Sequence, residues 1–430
     1  MSSSANGSLF TRRSFLRWSQ SAMALFGAAP FLGTGAEALA APATAPDGDD
    51  YYDKLGVAKI INAAGTYTTL TAAVMPPQVR RAVEQAALHP VYLKDLQEAS
   101  GAYLAKKLRC EGAMVTSGAS GAITLATAAC MAAANGSKPG AIPQEAGSMK
   151  NEIIVQKSHR YSYDHAMMLC GAVIREVVTL DDYKRAFNEK TVMTNFFNAA
   201  EEEEGPSAQI GREQWLEIAH QHNVPCHIDA AADMPPIENL WKYTGMGFDL
   251  VCFSGGKGIR GPQNAGLLLG KKHLIDLAYK NNNPNGDAVG RGMKVAKEQI
   301  VGMVAAVDWL LEQSDAADTT EYNRRVDIIS RAVKDIPSMQ SRVVVPMIAN
   351  HVPHLLLKFD PAIVGVTVRQ VQERLRAQKP PIELNPNTGN KPNQGIPSDE
   401  NTLVVGVWML LPGEAEIVGN RLYAALTQKT

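Results

Sequence analysis

Leu250-Val251-Cys252-Phe253-Ser254-Gly255-Gly256-Lys257-Gly258-Ile259-Arg260-Gly261-Pro262-Gln263 joins a short apolar run to a lysine set among glycines. Such a run reads as a buried strand. A solvated surface lysine does not need glycine on both sides. A Schiff-base lysine does, because its backbone comes close to what it binds. The other reading, a solvated lysine in a flexible loop, weakens once two upstream stretches are counted. Pro225-Cys226-His227-Ile228-Asp229-Ala230-Ala231 puts an acid at the carboxyl end of another apolar run. That edge is where open α/β sheets bind ligands, although a strand-end aspartate also serves as a helix cap. Thr116-Ser117-Gly118-Ala119-Ser120-Gly121 opens a helix of small residues. It is either a phosphate cradle at a helix N-terminus or a tight turn that lets the helix pack on the sheet.

Outward from these stretches, apolar runs at 113–115, 153–156, 173–178, 192–197, 226–228, 250–253 and 265–269 alternate with helical patterns such as 214–222. Seven strands spaced in this way predict a mainly parallel, helix-covered sheet. Pro76-Pro77 opens a further helical run, and 93–108 has helical periodicity. Beyond about Ile300 the texture changes to helices at 299–311 and 322–333, then separated strands at 343–345, 354–359 and 403–408. The expected organisation is a large domain over 60–298 and a smaller α+β domain over 299–430, with 384–397 a Pro- and Asn-rich loop.

With 430 residues the chain is long enough for two cores. Its formal net charge of -1 provides no basic field for nucleic acid or anionic lipid. The five cysteines are scattered, without metal-knuckle spacing, and no H-E-x-x-H motif occurs, so no metal site is expected. Thr11-Arg12-Arg13-Ser14-Phe15-Leu16-Arg17, a weakly apolar stretch and Ala38-Leu39-Ala40 look like a twin-arginine signal peptide over 1–40, followed by a leader over 41–59. Glycines and Pro30 interrupt the apolar stretch, which argues against a stable membrane span. The expectation is export in folded form through the twin-arginine translocase to a periplasmic or extracytoplasmic location.

Together the stretches point to pyridoxal 5′-phosphate (PLP). Asp229 would hold the pyridine nitrogen protonated, and the Ala231 methyl would lie against one ring face. Ser117, Gly118, Ala119 and Ser254 would anchor the phosphate, and Lys257 would carry the aldehyde carbon. His159, at the end of another run, is a candidate for stacking on the ring; an ordinary polar loop residue is the alternative, and Arg160 competes for the place. Arg260 and Arg291 are candidates for a substrate carboxylate, because a guanidinium fork fits one bidentately.

Ile61-Asn62-Ala63-Ala64-Gly65-Thr66, Thr116-Ser117-Gly118-Ala119, His227 to Ala231, Ser254 to Lys257 with Gly261-Pro262-Gln263, Gly290 to Val295 and Leu411 to Glu414 resemble the selenocysteine synthase-like PLP enzymes. That group lies within the aspartate aminotransferase superfold, and the likeness covers most of 51–430. It implies homodimers or higher assemblies with the active site at a subunit boundary. Within the group the pattern is closer to the amino-sugar-acid ammonia-lyase branch than to the branch acting on seryl-tRNA. The expected reaction is therefore α,β-elimination on a small amino acid or amino-sugar acid. An aminotransferase or racemase would use the same elements, and a non-catalytic exported binding protein is the alternative of another class.

Overall fold

The computed structural model describes residues 50–200, 210–390 and 395–428. The twin-arginine signal and most of the leader lie outside these residues. Tyr51–Leu55 forms a short helix with no buried residue. It falls in the unit ending at Leu55, and Gly56–Thr430 forms the other compact unit.

Among the described residues, twelve strands run through the second unit: β1 (Ile61–Ala63), β2 (Gly112–Ser117), β3 (Glu152–Gln156), β4 (Val173–Val177), β5 (Thr191–Phe197), β6 (Cys226–Asp229), β7 (Leu250–Ser254), β8 (Ala265–Gly270), β9 (Gln340–Val344), β10 (His354–Lys358), β11 (Ile382–Leu384) and β12 (Thr402–Gly406). Seven of them form one sheet in the order β2-β8-β7-β6-β5-β3-β4. β8 pairs antiparallel with both neighbours, and the other pairs are parallel. β5, β6 and β7 are buried almost throughout, as strands with helices on both faces must be. The expected α/β class and mainly parallel seven-stranded sheet are observed.

Helix Gly118–Asn135 lies on one face of the sheet, and every residue from 121 to 132 is buried. A helix apolar all round belongs in a core, and its alanines allow close approach. This helix starts at Gly118, so Gly118 to Gly121, expected as the turn that opens it, form its first turn. Helices Lys297–Leu311 and Pro77–Ala87 pack together, and residues of the former join the core on the opposite face.

A separate apolar cluster gathers residues from 322–426 with Ile61 and Ala63. The reason is β1, which pairs in parallel with β11, so a segment from the start of the unit completes a sheet near its end. β12, β10 and β9 form a three-stranded antiparallel sheet beside it. Of the five cysteines, four are buried and Cys110 is part-buried, all as free thiols.

Candidate active site

The carboxyl ends of the parallel strands converge on a cavity of about 390 Å³. Gly118, Ala119, Asp229, Ala231, Ser254 and Lys257 all line it. These six come from three stretches spread over residues 118–257, brought together by the order of the strands. Gly266 in β8 makes part of this possible. A methyl group there would lie 2.4 Å from the Gly118 carbonyl carbon, so only glycine lets β8 lie against the turn.

Asp229 ends β6 and is 3% exposed. Its Oδ1 accepts from the Ala231 N–H at 3.0 Å and from the Cys252 thiol at 3.4 Å, and its Oδ2 accepts from the Tyr161 hydroxyl. Burial and the adjacent carboxylate push the Tyr161 hydroxyl well above its ordinary value, so it remains protonated. Burial also lowers the affinity of Lys257 for its proton, an effect opposed by the charges of Asp229 and Asp233. Desolvation disfavours an ammonium, which brings this amine closer to its nucleophilic, neutral form.

The glycines around Lys257 have a different cause from the one expected. A methyl group on Gly256 would stand 2.5 Å from Cα of Gln263, and one on Gly258 would stand 2.3 Å from the Met234 carbonyl oxygen. Neither glycine lines the cavity. They let the lysine turn fold back on neighbouring backbone, and that packing aims the side chain.

Other expected residues are placed elsewhere. His159 is fully buried behind the cavity wall, where its Nδ1 accepts from the Phe197 N–H at 3.2 Å and its ring meets Phe196 edge-on. Tyr161, stacked on Phe197 at 4.3 Å, and Tyr163 are the aromatics that line the cavity after this strand end. The competing Arg160 is paired with Asp164 and Glu176. Ser117 is not among the lining residues, whereas Ser120, one helical turn on, is. Arg260 turns away to donate to the Trp408 carbonyl at 2.9 Å, and Arg291 is part-exposed outside the cavity. No arginine lines the cavity among the described residues, and Lys257 is its one lysine.

The cavity also contains residues that local sequence did not signal: Tyr67, Asp233, Asn350, His354, Asn385 and Trp408. Asn385 lies in the stretch expected as a loop, yet it is fully buried and donates to the Ala64 carbonyl at 3.0 Å and the Tyr67 hydroxyl at 3.1 Å. Asn350 donates its N–H to the Ala232 carbonyl at 2.9 Å, which ties the segment before β10 to the end of β6. Tyr67 follows directly on the quoted Ile61 to Thr66 motif and was within reach of the sequence reading; the others come from distant positions without a local pattern.

The donor set suits PLP. The N-terminus of an 18-residue helix, whose first three residues line the cavity, suits a phosphate, a buried carboxylate suits a protonated ring nitrogen, and one buried amine suits an aldehyde. Among the described residues no three His, Cys, Asp or Glu side chains cluster as metal ligands, and no helix is long and apolar enough to cross a membrane.

The chain is 27% identical to a 5'-C-glycyluridine monooxygenase-decarboxylase from Streptomyces, over 77% of this chain and 83% of that protein. It is 25% identical to D-glucosaminate-6-phosphate ammonia lyase of Salmonella typhimurium, over 76% and 86%. Among solved structures, a D-glucosaminate-6-phosphate ammonia-lyase superposes with a TM-score of 0.73 at 23% identity, covering 88% of this chain and 98% of that one. An alanine–glyoxylate aminotransferase from Nostoc superposes at 0.52 and 14% identity, covering 86% and 95%. The fold is thus the aspartate aminotransferase-like fold of PLP-dependent enzymes. Residues 60–352 match the family of L-seryl-tRNA selenium transferase (SelA), and the chain belongs to that family of enzymes.

Proposed function

We propose that this protein is a PLP-dependent lyase that eliminates a β-substituent from an amino acid or amino-sugar acid, releasing ammonia. The observation that carries the reading is the convergence of Lys257, Asp229 and the Gly118-Ala119 helix start on one cavity. The lengthwise similarity to an ammonia lyase supports elimination over the other reactions of the fold.

PLP, when bound, supplies an electron sink for the carbanion at the substrate α-carbon. Lys257 is the residue to bind the aldehyde, and Asp229 to hold the ring nitrogen protonated. Gly118, Ala119, Ser120 and Ser254 would hold the phosphate. Burial favours the neutral amine of Lys257, which takes the α-proton. The leaving group departs from the β-carbon with its bonding pair. The enamine released picks up a proton to become an imine, and water converts it to a keto acid and ammonia. Tyr161, held protonated, donates to the Asp229 carboxylate and would orient it.

The test is to incubate purified protein with D-glucosaminate and other β-hydroxylated amino acids, without an amino acceptor, and to assay keto acid and ammonia. Equal amounts of the two are expected, and Lys257→Ala is expected to remove them. A requirement for an added keto acid would identify an aminotransferase, inversion without ammonia a racemase, and oxygen uptake a reaction like that named for the Streptomyces relative. Full turnover by Lys257→Ala would reject enzymatic use of this lysine. We also propose that the chain is exported folded and acts as a homo-oligomer; the reading rests on Arg12-Arg13 with its flanking sequence and on the family likeness.

A further inference from the structure

One wall of the cavity is built by the second core and not by the parallel sheet. Trp408 is 2% exposed and lines the cavity, yet its indole Nε1 has no hydrogen-bond partner. A buried N–H in this condition is costly unless a ligand takes it. Tyr67 stands beside it: an ideal methyl position on Gly65 lies 3.3 Å from both the Trp408 Nε1 and the Tyr67 ring. The Tyr67 hydroxyl accepts from Asn385 at 3.1 Å, so its own proton is left to donate, and among the described residues it has no acceptor. Burial raises its pKa and keeps that proton in place. Asn385 itself is saturated, since its Oδ1 accepts twice from Asn387.

His354 opens β10 opposite Gly406, two residues before Trp408. Its Nδ1 lies 2.8 Å from the Val352 carbonyl, which can only accept, so Nδ1 carries the proton. Nε2 is therefore an acceptor, on a residue that lines the cavity. Burial drives the imidazole pKa down to about 4, so the ring is neutral at ordinary pH.

We propose that Tyr67, His354 and Trp408 form a subsite that reads the hydroxyl groups of an uncharged polyhydroxy chain, and that the substrate is an unphosphorylated amino-sugar acid. The inference rests on the lyase reading above and narrows its substrate class. Two donors and one neutral acceptor match a chain of hydroxyls, each of which both donates and accepts. A phosphate ester would put a dianion against the lone pair of His354. It would also share the space with the carboxylates of Asp229 and Asp233.

The test is calorimetric titration of the PLP-loaded protein with D-gluconate and with 6-phosphogluconate. Neither probe has an amine, so binding reports the wall independently of turnover. Gluconate is expected to bind at least about tenfold more tightly than its phosphate. Tyr67→Phe and Trp408→Phe each remove one donor and are expected to weaken gluconate binding about three- to tenfold without changing the visible cofactor band. Tyr67→Phe deletes only a hydroxyl on a half-buried ring, so it keeps the test open if Trp408→Phe folds poorly. Equal or tighter binding of 6-phosphogluconate, no binding of gluconate, or unchanged binding in folded variants would overturn the proposal. Absence of the cofactor band or of ammonia release would count against the lyase reading instead.

Discussion

At Asp233 a carboxylate is 1% exposed, held at Oδ2 by Asn198 at 2.5 Å and by the Tyr243 hydroxyl at 3.0 Å. Desolvation outweighs these bonds and the more distant Arg212, so its pKa rises to about 6. A group that binds its proton more tightly when folded stabilises the protein below its unfolded pKa, and that stability is lost as pH rises through about 6. Buried His227 and His354 act in the opposite sense. Both are lowered to about 4, so their burial costs stability as pH falls from the ordinary imidazole value toward 4. Asp233→Asn keeps an acceptor for Asn198 and Tyr243 but carries no charge. In thermal melts it should match the parent near pH 4 and exceed it by pH 8, by on the order of 2 kcal/mol. A constant offset across that range would show that Asp233 is not the titrating group. None of this was legible in the sequence, where Asp233 is one acid among many; its burial comes from packing against helix Asn239–Met246 and the turn after β5.

Elements show where reading the sequence succeeds. Runs such as Val251-Cys252-Phe253 announce strands because both faces of β7 are covered, and the alternation with helices announces their parallel pairing. β1 and β11 escaped because each has three residues and neither is a strand without the other, which lies near the opposite end of the chain. The same non-locality conceals Asn385, His354 and Trp408. The lysine turn was read for its chemistry, while its glycines answer to packing. Gly258→Ala should therefore cost about 1–3 kcal/mol in urea unfolding, since its methyl meets the Met234 carbonyl, and should displace Lys257. Gly245 provides the contrast: it sits in helix Asn239–Met246 with nothing within 4 Å of the added methyl. Gly245→Ala should stabilise by about 0.5–1 kcal/mol in the same assay. A loss at Gly245 equal to that at Gly258 would reject the packing explanation.

For the whole molecule, the two cores contribute unequal parts of one cavity: in the proposed reading, sheet ends supply amine, carboxylate and phosphate cradle, and the second core supplies the wall that would face the substrate chain. If export follows folding and cofactor capture, replacing Arg12 and Arg13 by lysine should leave folded, PLP-loaded protein in the cytoplasm, as cell fractionation would show. The proposed chemistry itself depends on one covalent attachment. Borohydride reduction of protein expressed with vitamin B6, followed by peptide mass mapping, should place a pyridoxyl group on Lys257. A map in which Lys257 is unmodified, or in which another lysine carries the group, would contradict it.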